Sequence, residues 1–337
     1  MKTPKAKKLP SGNWTVRVKV EGREYRITRE TRSAAEREAM AIKSRAKSAA
    51  GLNNRLTLRE AAEIYIENRS AVLSPSTICG YRQIIRTRFL PLWNMQISAI
   101  TQQVCQRAVN EEKKRIASKT LKNSFGFVNA VLFEQTGARV AVNIGQVIKA
   151  ERPFLDPKQI DTFLSAVKGK NIEIAALLAL SSLRRSEILG LDWSNVDLHN
   201  RVIHIRGSAV YDENWKLTQK QENKNTSSRR DVPMIEPLFA ALSNAKPQEG
   251  KVVRFNPSYL YEGINRVCEV NGLPKVGVHG LRHSFASLAY HLQIPERIAM
   301  QIGGWSNPAT MHKIYTHLAE SDISNQAKVF TDFFAGK

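Results

Sequence analysis

The sequence predicts a multidomain protein that is mainly α-helical and carries small β elements. At 337 residues the chain is long enough for two or three domains. Alternation of apolar and polar residues is confined to short stretches, at residues 13–29 and 201–234. Helical periodicity covers most of the remainder, so helix packing is expected to form most of the core.

The charge balance favours a polyanionic partner. The formal net charge is +21, from 51 Lys and Arg against 30 Asp and Glu, and the excess recurs along the whole chain. Nucleic acid is the expected partner, although ribosomal proteins and membrane-peripheral proteins share such a surface. No apolar run approaches the roughly 18 residues of a membrane span, and no signal-peptide region follows the basic N-terminus. We therefore expect a cytoplasmic, nucleoid-associated protein without a membrane partner.

The three cysteines do not predict a disulfide framework or a zinc site. They are Cys79, Cys105 and Cys268, an odd number without CxxC or Cys/His ligand spacing. Small buried side chains are the simpler interpretation.

Residues 1–52 are predicted to form a small sheet with a helix behind it. Residues 1–50 hold 14 Lys and Arg against 5 Asp and Glu, a balance of +9. Apolar residues from Trp14 to Val20 alternate with Thr15, Arg17 and Lys19, which predicts a half-buried strand with a basic outer face. Such a sheet suits a DNA groove, although an accessory domain that is merely basic has the same pattern.

The rest of this region predicts a hairpin and a helix. Glu21-Gly22 is expected to form the hairpin turn, and residues 23–29 return with Tyr25 and Ile27 inward and Arg26 outward. Ser33 is a candidate N-cap, with Glu36 at the capping-box position of a helix that ends at Gly51. A short polar linker, residues 52–55, follows.

Residues 56–148 are predicted to be helical throughout and to form a four-helix bundle. Thr57 and Ser74-Pro75 carry helix-start signals. Basic side chains lie between the apolar stripes: Arg82, Arg86, Arg88, Lys113, Lys114, Arg115, Lys119 and Lys122. A DNA-binding face fits this pattern, and so does an ordinary solvated bundle.

A charged linker, residues 149–156, precedes a further helix that is expected to begin at Asp156-Pro157. The stretch 172–193 is apolar on nearly every side until Ser181, so Arg184 comes at the end of a buried segment. An unpaired charge is costly there, which predicts an anion for Arg184 to meet. Glu187 is expected to supply part of that pairing, and a buried ion pair without a ligand is the alternative.

Residues 201–205 alternate as a strand, and residues 210–234 suggest a hairpin with a polar tip that ends in a strand at 230–234. Lys216, Lys220 and Lys224 lie near that tip. Helices are expected around 238–242 and 258–270.

The stretch 278–318 combines His279, Arg282, Trp305 and Tyr315. A phenol of pKa about 10 is a poor nucleophile, so a tyrosine that attacks phosphorus needs cations to stabilise its oxyanion and the phosphoryl oxygens. Arg282 can offer a bidentate fork, His279 lies one helical turn earlier, and the Trp305 indole donates one N–H. An ordinary helix start with a core tyrosine is the alternative interpretation.

Taken in order, these motifs resemble the catalytic domain of the tyrosine recombinase family, in particular phage-type and conjugative-element integrases. The motifs are Arg184-x-x-Glu187, Lys224 with Ser227-Ser228-x-Arg230, His279-x-x-Arg282, Gly304-Trp305 and Tyr315-x-His317. The resemblance covers essentially the whole chain, and its motifs are most specific for the family over the last 160 or so residues. The resemblance implies an arm-type DNA-binding domain at 1–52, a helical SAM-like core-binding domain at 56–148 and an α+β catalytic domain at 155–337.

The resemblance also implies a chemical role for each motif. Tyr315 would attack the scissile phosphate to form a 3′-phosphotyrosine and release a 5′-hydroxyl. Arg184 and Arg282 would clamp the non-bridging oxygens, with His279 and Trp305 completing the pocket and Lys224 protonating the 5′ oxygen. Neither metal nor cofactor is expected, because side-chain cations take the place of a metal and no GxxxxGK[ST] loop is present.

DNA contacts follow from the same resemblance. Outward strand positions Arg17, Lys19 and Arg26 are expected to bind arm sites, and Arg82, Arg86, Lys119 and Lys122 to bind core sites. The apolar segment 323–334 is expected to dock on a neighbouring protomer in a cyclic homotetramer. Attachment-site sequences and the need for an excision factor or a DNA-bending protein are left open.

The chain departs from the family pattern in three places. Ser181-Ser182 replaces a common Thr-Gly, and Trp305 replaces a more common histidine, which keeps an N–H donor without acid–base capacity. In the third place Asn225 separates Lys224 from Thr226, and the hairpin lysine is either Lys224 or Lys220. A type IB topoisomerase-like enzyme and a catalytically inactive DNA-binding regulator are the alternative functions.

Overall fold

Over the residues that the structure describes, the protein is mainly helical with three small antiparallel sheets, which confirms the predicted fold class. The computed structural model describes residues 5–20, 23–52, 56–147, 153–219, 229–245, 249–254, 256–309, 311 and 315. The chain divides into two compact units, residues 1–149 and 150–337. None of the described helices is both long enough and apolar enough to cross a membrane.

The first unit begins with a three-stranded sheet and a helix. The elements are β1 (Lys7–Lys8), β2 (Trp14–Val20), β3 (Arg23–Arg29) and α1 (Arg32–Leu52), with the strands in the order β1-β2-β3. Val16, Val18 and Ile27 are buried against Ala35 and Ala39 of α1, because alternation along each strand places these apolar residues on one face. The predicted alternation is confirmed, and the Glu21-Gly22 turn lies outside the described residues.

The predicted start of α1 is wrong by two residues, because the cap is Thr31 and not Ser33. The helix begins at Arg32, before Ser33, and the Thr31 hydroxyl accepts a hydrogen bond from the Ala34 N–H at 3.3 Å. Glu36 does not close a capping box on Ser33. Its carboxylate instead accepts hydrogen bonds from the Ala6 N–H and the Arg32 guanidinium, each at 3.0 Å, which attaches the N-terminal segment to the helix.

The rest of the first unit is a helical bundle. Its helices are α2 (Leu58–Glu67), α3 (Pro75–Thr87), the short α4 (Leu90–Trp93), α5 (Gln102–Lys113) and α6 (Ser118–Thr136). The predicted caps are confirmed, because Thr57 forms a capping box with Glu60 and Ser74 accepts from the Thr77 N–H at 3.3 Å.

Helical structure does not extend to residue 148 as predicted. Helix α6 ends at Thr136, Gly137 takes a left-handed φ of 71°, and residues 137–147 form no helix. The Asn129 side chain binds the Val140 N–H at 2.8 Å and its carbonyl at 3.0 Å, so side-chain hydrogen bonds replace helical ones there. The predicted separation of residues 1–52 from residues 56–148 stays a prediction.

The second unit alternates helices with short strands. Its elements are α7 (Pro157–Val167), α8 (Glu173–Leu180), α9 (Arg185–Gly190), β4 (Val196–Asp197), β5 (Val202–Ile205), β6 (Ala209–Tyr211), β7 (Leu217–Gln219), β8 (Arg230–Pro233), α10 (Glu236–Ala245), α11 (Pro257–Val270), α12 (Gly277–His291) and α13 (Glu296–Gly303). The predicted helix start at Asp156-Pro157 is confirmed, with a capping box to Gln159.

Residues 210–234 do not form the single hairpin that the sequence suggests. Strands β6 and β7 close a short hairpin, in which the Asp212 carboxylate accepts from the Asn214 and Lys216 N–H groups at 2.9 Å. Strand β8 pairs instead with β5, with Arg230 opposite Ile205. Lys220 and Lys224 lie between these strands, outside the described residues.

Helix α8 is the centre of the second core. Its residues from Ala175 to Leu180 are all buried, and α10, α11 and α12 pack around it. This burial matches the apolar run that the sequence shows. The C-terminal end of α8 therefore delivers the next residues, beginning with Ser181, directly from the core to the candidate site.

Candidate active site and nucleic-acid interface

Arg184 is held at a corner between α8 and α9. Ser182 has a left-handed φ of 77°, which turns the chain after α8 and places Arg184 just before α9. The Glu187 carboxylate accepts from the Arg184 backbone N–H at 2.8 Å and from its Nη1 at 2.6 Å. Arg184 Nη2 donates to the Gly304 carbonyl. The side chain remains 33% exposed, so it is oriented and still accessible.

A second arginine, Arg230, binds the same carboxylate. Arg230 Nη2 donates to Glu187 Oε2 at 2.9 Å and Nη1 to Oε1 at 3.1 Å, and the two side chains are only 5% and 4% exposed. Burial works to raise the pKa of Glu187, but the hydrogen bond and charge of Arg230, with those of Arg184, outweigh it and lower the pKa. Glu187 is therefore an anion shared by two guanidinium groups.

Arg282 reaches the same corner from α12. Its Nη1 donates to the Ser182 carbonyl, and its guanidinium carbon lies 4.3 Å from the centre of the Trp305 ring. Burial, reinforced by the nearby charge of Arg184, lowers the pKa of Arg282 to about 9. The residue is 3% exposed, so its positive charge is held at a cost in free energy.

Two glycines make room for neighbouring side chains, Gly303 for Trp305 and Gly304 for Arg230. Gly304 has a φ of 63° at the end of α13, and a Cβ there would lie 2.9 Å from Arg230 Nη1. A Cβ on Gly303 would lie 1.8 Å from the Trp305 ring. Any larger residue at either position would displace the indole or the buried arginine, so the Gly-Gly-Trp sequence is a packing requirement of this corner.

Tyr315 lies in a small apolar cluster formed around α12 and α13. The cluster includes Ala286, Ala299 and Met311, and the Tyr315 ring centre is 5.4 Å from that of Tyr290. Among the residues that the structure describes, its buried hydroxyl has no hydrogen-bond partner. Burial, followed by the negative charge of Glu296, raises the pKa of Tyr315, so the phenol is protonated and not activated in this state.

The two histidines of the HGLRH motif lie on α12. His279 is exposed and His283 is half-buried, and their ring centres are 6.1 Å apart. The predicted helical spacing of His279 and Arg282 is confirmed. Lys216 is exposed in the β6–β7 turn.

The structure brings Arg184, Arg282 and Trp305 to one corner. Arg282 binds the Ser182 carbonyl and lies over the ring of Trp305, and Arg184 binds the carbonyl of Gly304, the residue before Trp305. His279 and Tyr315 belong to the neighbouring α12–α13 region, whereas the position of Lys224 lies outside the described residues.

Sequence reasoning assigned no role to Arg230. A signal was present, since alternation along RDVP places Arg230 on the same inward face as Val232. An inward arginine requires a buried anion.

The outer face of the N-terminal sheet carries a repulsive pair. Arg17 and Arg26 are directly opposite each other on β2 and β3, and both are exposed, as is Lys19. Like charges at opposed strand positions destabilise a sheet, and a bound anion would relieve that repulsion. The ion pair between Arg17 and Glu24, at 3.5 Å, compensates this repulsion weakly, because both side chains are mostly exposed to solvent.

The predicted basic residues of the bundle lie on its surface. Arg82 and Arg86 are four residues apart on α3, and Lys119 and Lys122 are exposed in the first turns of α6. Stacking of Tyr81 on Phe127, with ring centres 4.0 Å apart, joins these two helices. Arg86 and both lysines are exposed, whereas Arg82 is half-buried beside Glu63 at 3.7 Å.

Within the described part of the chain, no group of three or more His, Cys, Asp or Glu side chains is arranged to hold a metal ion.

Two family models match the chain. The model described as the phage integrase family matches residues 153–322, and the model of the phage integrase N-terminal SAM-like domain matches residues 57–126. The first range contains every residue of the candidate active site, and the second contains the four basic positions of the bundle.

Curated relatives agree with these matches. A tyrosine recombinase XerC-like protein of Caldanaerobacter subterraneus subsp. tengcongensis is 24% identical over 299 residues, which is 75% of this chain and 76% of that protein. Prophage integrase IntF of Escherichia coli K12 is 31% identical over 169 residues, 48% of this chain and 34% of that protein. The chain thus spans most of the first relative and about a third of the second.

Solved structures share the fold. A Tn1549 transposon integrase in complex with transposon right end DNA has a TM-score of 0.63 at 18% identity, covering 81% of this chain and all of that one. A lambda integrase tetramer bound to a Holliday junction has a TM-score of 0.56 at 16% identity, covering 90% of this chain and 96% of that one. At these identities the likeness concerns the fold.

Proposed function

This chain belongs to the phage integrase family and is a tyrosine-type site-specific DNA recombinase, and we propose that Tyr315 is its nucleophile and that Arg184 and Arg282 bind the scissile phosphate. The proposal joins the chemistry of these side chains to the family's reaction. Strand cleavage and rejoining would then integrate or excise a mobile DNA element.

One observation carries the assignment of the phosphate pocket. Arg184, Arg230 and Arg282 converge on one corner, where Glu187 is their shared anion among the described residues. Three positive charges against one negative charge leave an excess of +2. Arg282 is buried there at a lowered pKa, so an incoming phosphate would relieve its repulsion with Arg184. Such a site is suited to an anion with two non-bridging oxygens.

The cleavage step follows from these groups. The Tyr315 oxygen forms a bond to phosphorus while the bond from phosphorus to the 5′ oxygen breaks. Arg184 and Arg282 stabilise the charge that develops on the non-bridging oxygens, and His279 and the Trp305 indole N–H donate to the same phosphate. Lys224 donates a proton to the leaving 5′ oxygen, and the phenolic proton passes to solvent or a neighbouring base.

Rejoining is the reverse of this step. A 5′-hydroxyl attacks the phosphotyrosine, the bond from Tyr315 to phosphorus breaks, and the phenol recovers its proton. Because the phosphotyrosine retains the energy of the broken phosphodiester, no nucleotide cofactor is needed. The cations that stabilise cleavage also stabilise religation, since both pass through the same charged phosphoryl group.

Tyr315 has to leave its resting surroundings before it can react. Its pKa is raised by burial and by Glu296, which disfavours the phenolate. DNA supplies the phosphate, and the arginines then stabilise the attacking oxygen. Covalent chemistry is therefore coupled to DNA binding, and the free protein is protected from reaction with other phosphates.

We assign the three predicted domains to three tasks. Residues 155–337 cut and rejoin DNA, residues 56–148 clamp the core site through Arg82, Arg86, Lys119 and Lys122, and residues 1–52 bind arm sites. The opposed Arg17 and Arg26 support the last assignment, since bound phosphate relieves their repulsion. Holding arm sites raises the effective concentration of core-bound protomers.

The enzyme binds DNA, and we propose that a homotetramer assembles on paired core sites. The similarity to a lambda integrase tetramer on a Holliday junction supports this assembly. An excision factor and a DNA-bending protein would act as further partners at folded attachment sites. This substrate would place the protein with the nucleoid in the cytoplasm.

A nicked suicide substrate tests the nucleophile. Loss of the short 5′ fragment traps the covalent intermediate, so the wild-type protein is expected to give an adduct that resists SDS. Tyr315→Phe should abolish the adduct and leave DNA binding unchanged. Tyr290→Phe is the matched control, because it removes a hydroxyl from the adjoining ring, and it should retain the adduct. An adduct that persists in Tyr315→Phe would contradict the assignment.

The alternative functions are separated by a two-site plasmid. A recombinase exchanges the segments between the sites, a type IB topoisomerase relaxes the plasmid without exchange, and an inactive regulator binds without cutting. We expect exchange that depends on both sites.

A further inference from the structure

Arg230 is the most completely bound of the three site arginines. Its Nε donates to the Ile302 carbonyl at 2.7 Å, and Nη1 and Nη2 bind the two oxygens of Glu187. Nη2 also lies 3.4 Å from the Ser182 carbonyl. Each guanidinium nitrogen is thus engaged within the protein, and the side chain is 5% exposed. Four of the five N–H donors of Arg230 are therefore taken up by groups of the protein.

Two of the acceptors around Arg230, the Glu187 carboxylate and the Ser182 carbonyl, also orient the two phosphate-binding arginines. Arg184 is held by the Glu187 carboxylate and the Gly304 carbonyl, and Arg230 binds the first and packs against the Gly304 backbone. Arg282 is held by the Ser182 carbonyl, which is also near Arg230 Nη2.

These contacts join three parts of the chain that are distant in sequence. Arg230 bridges the α8–α9 corner, the end of α13 and β8. From these contacts we propose that Arg230 is a positioning residue, which orients Arg184 and Arg282 toward the scissile phosphate without touching it. The inference rests on the proposed function, because it assigns Arg230 a task in the same site.

A lysine in place of Arg230 retains the positive charge and loses the planar, bidentate guanidinium group that binds both oxygens of Glu187. An ammonium group can bind one oxygen of Glu187 or the Ile302 carbonyl, but its single nitrogen cannot reproduce the planar set of bonds. Arg184 would keep Glu187 and the Gly304 carbonyl as acceptors, but these groups would be held less firmly and would shift. A displacement of about 1 Å at a reacting centre can reduce a rate by about 100-fold. We expect that loss in Arg230→Lys, with duplex binding unchanged.

A substrate with an uncharged scissile group distinguishes misplacement of Arg184 and Arg282 from a general loss of structure in Arg230→Lys. A methylphosphonate at the scissile position has a methyl group in place of one non-bridging oxygen, so its transition state carries less negative charge and depends less on both arginines. Arg230→Lys should lose about 100-fold on the phosphodiester but less than about tenfold on the methylphosphonate, each relative to wild type. Arg201→Lys is the control, because Arg201, in the turn before β5, forms an exposed pair with Glu236 at the start of α10.

A second measurement uses the arginine on which Arg230 acts. In an Arg184→Ala background, Arg230→Lys should cause a much smaller further loss than it causes alone, because part of its target is already absent. A merely structural role predicts the full loss in both backgrounds.

Several outcomes would overturn the inference. Cleavage by Arg230→Lys within threefold of wild type would do so, as would equal losses on both substrates or additive losses with Arg184→Ala. If Arg230→Lys does not fold, the double variant Arg230→Gln with Glu187→Gln, which replaces the ion pair by two uncharged side chains, is measured on both substrates. Its loss should again be larger on the phosphodiester than on the methylphosphonate. If the wild type forms no adduct with either substrate, the proposed function itself fails, whereas the other outcomes concern Arg230 alone.

Discussion

Replacing Arg282 by methionine should make the DNA-free protein more stable while abolishing its activity. Burial, reinforced by the charge of Arg184, lowers the pKa of Arg282 to about 9. The lowered pKa corresponds to an upper limit of about 5 kcal/mol for holding that charge in the folded state. Methionine has a similar length and carries no charge, so it removes this cost.

Two losses oppose that gain. The hydrogen bond to the Ser182 carbonyl contributes about 1.5–3 kcal/mol because its donor is charged, and stacking on Trp305 contributes about 1–2 kcal/mol. The Ser182 carbonyl keeps Arg230 Nη2 at 3.4 Å, so it is not left without a donor. The expected net stabilisation is about 1 kcal/mol, in line with other replacements of buried charge by apolar side chains.

Calorimetry of the full chain measures the change. For a unit of this size, 1 kcal/mol raises the melting temperature by about 2–4 °C. The transition of residues 1–149 is an internal reference, because the substitution lies in the other unit. Arg201→Met, which removes an exposed ion pair, should change stability by less than about 1 kcal/mol.

The stability difference should also depend on pH. A base whose folded pKa is lowered destabilises the folded state below that pKa, and the cost is relieved as pH rises through it. The advantage of Arg282→Met over wild type should therefore be constant near neutral pH and shrink above about pH 9. A melting temperature below that of wild type at pH 7 would refute the reasoning, and cleavage should fall by at least about 100-fold.

Three further predictions concern other parts of the chain. A 5′-bridging sulfur leaves without needing a proton, so it should restore cleavage to Lys224→Ala but not to Arg184→Ala, as measured on the suicide substrate. Rescue of Lys220→Ala, with Lys224→Ala nearly wild type, would move the assignment by four residues. Deleting residues 1–52 should preserve core-site cleavage and remove recombination of full attachment sites, and wild-type recombination by the deletion would contradict the arm-binding role. Truncation after Ser321 should weaken tetramer formation on paired sites in native gels, whereas unaltered assembly would indicate that the tail packs on its own subunit.

Local sequence patterns determined most of the secondary structure. Alternation predicted β2 and β3, and capping residues located the starts of α2, α3 and α7, because these signals act within a few residues. The errors occurred where side chains overrode the pattern. After α6 the Asn129 side chain binds the backbone of Val140, and the helix does not continue as predicted. At the start of α1 the cap is Thr31, two residues before the predicted cap Ser33.

Motif order, through its resemblance to the tyrosine recombinase family, also predicted the chemistry of the candidate site. Arg184, Arg282, Trp305 and Tyr315 were named together from the sequence because their motifs resemble those of the family in the same order, and arginine forks, an indole donor and a phenol suit chemistry on a phosphate. The pairing of Arg184 with Glu187 was also predicted, since the two are three residues apart.

Only the tertiary structure decided how these groups are held. Glu187 and Arg230 are 43 residues apart in sequence, Arg282 and Ser182 are 100 apart, and Arg184 and Gly304 are 120 apart. No local periodicity encodes such partners, because they meet only after α8, α12 and β8 have packed into one core. The low exposure of Arg282 and the buried hydroxyl of Tyr315 have the same origin. The sequence predicted the reacting groups, and packing determined the orientation of the arginines and the free-energy cost of burying their charge.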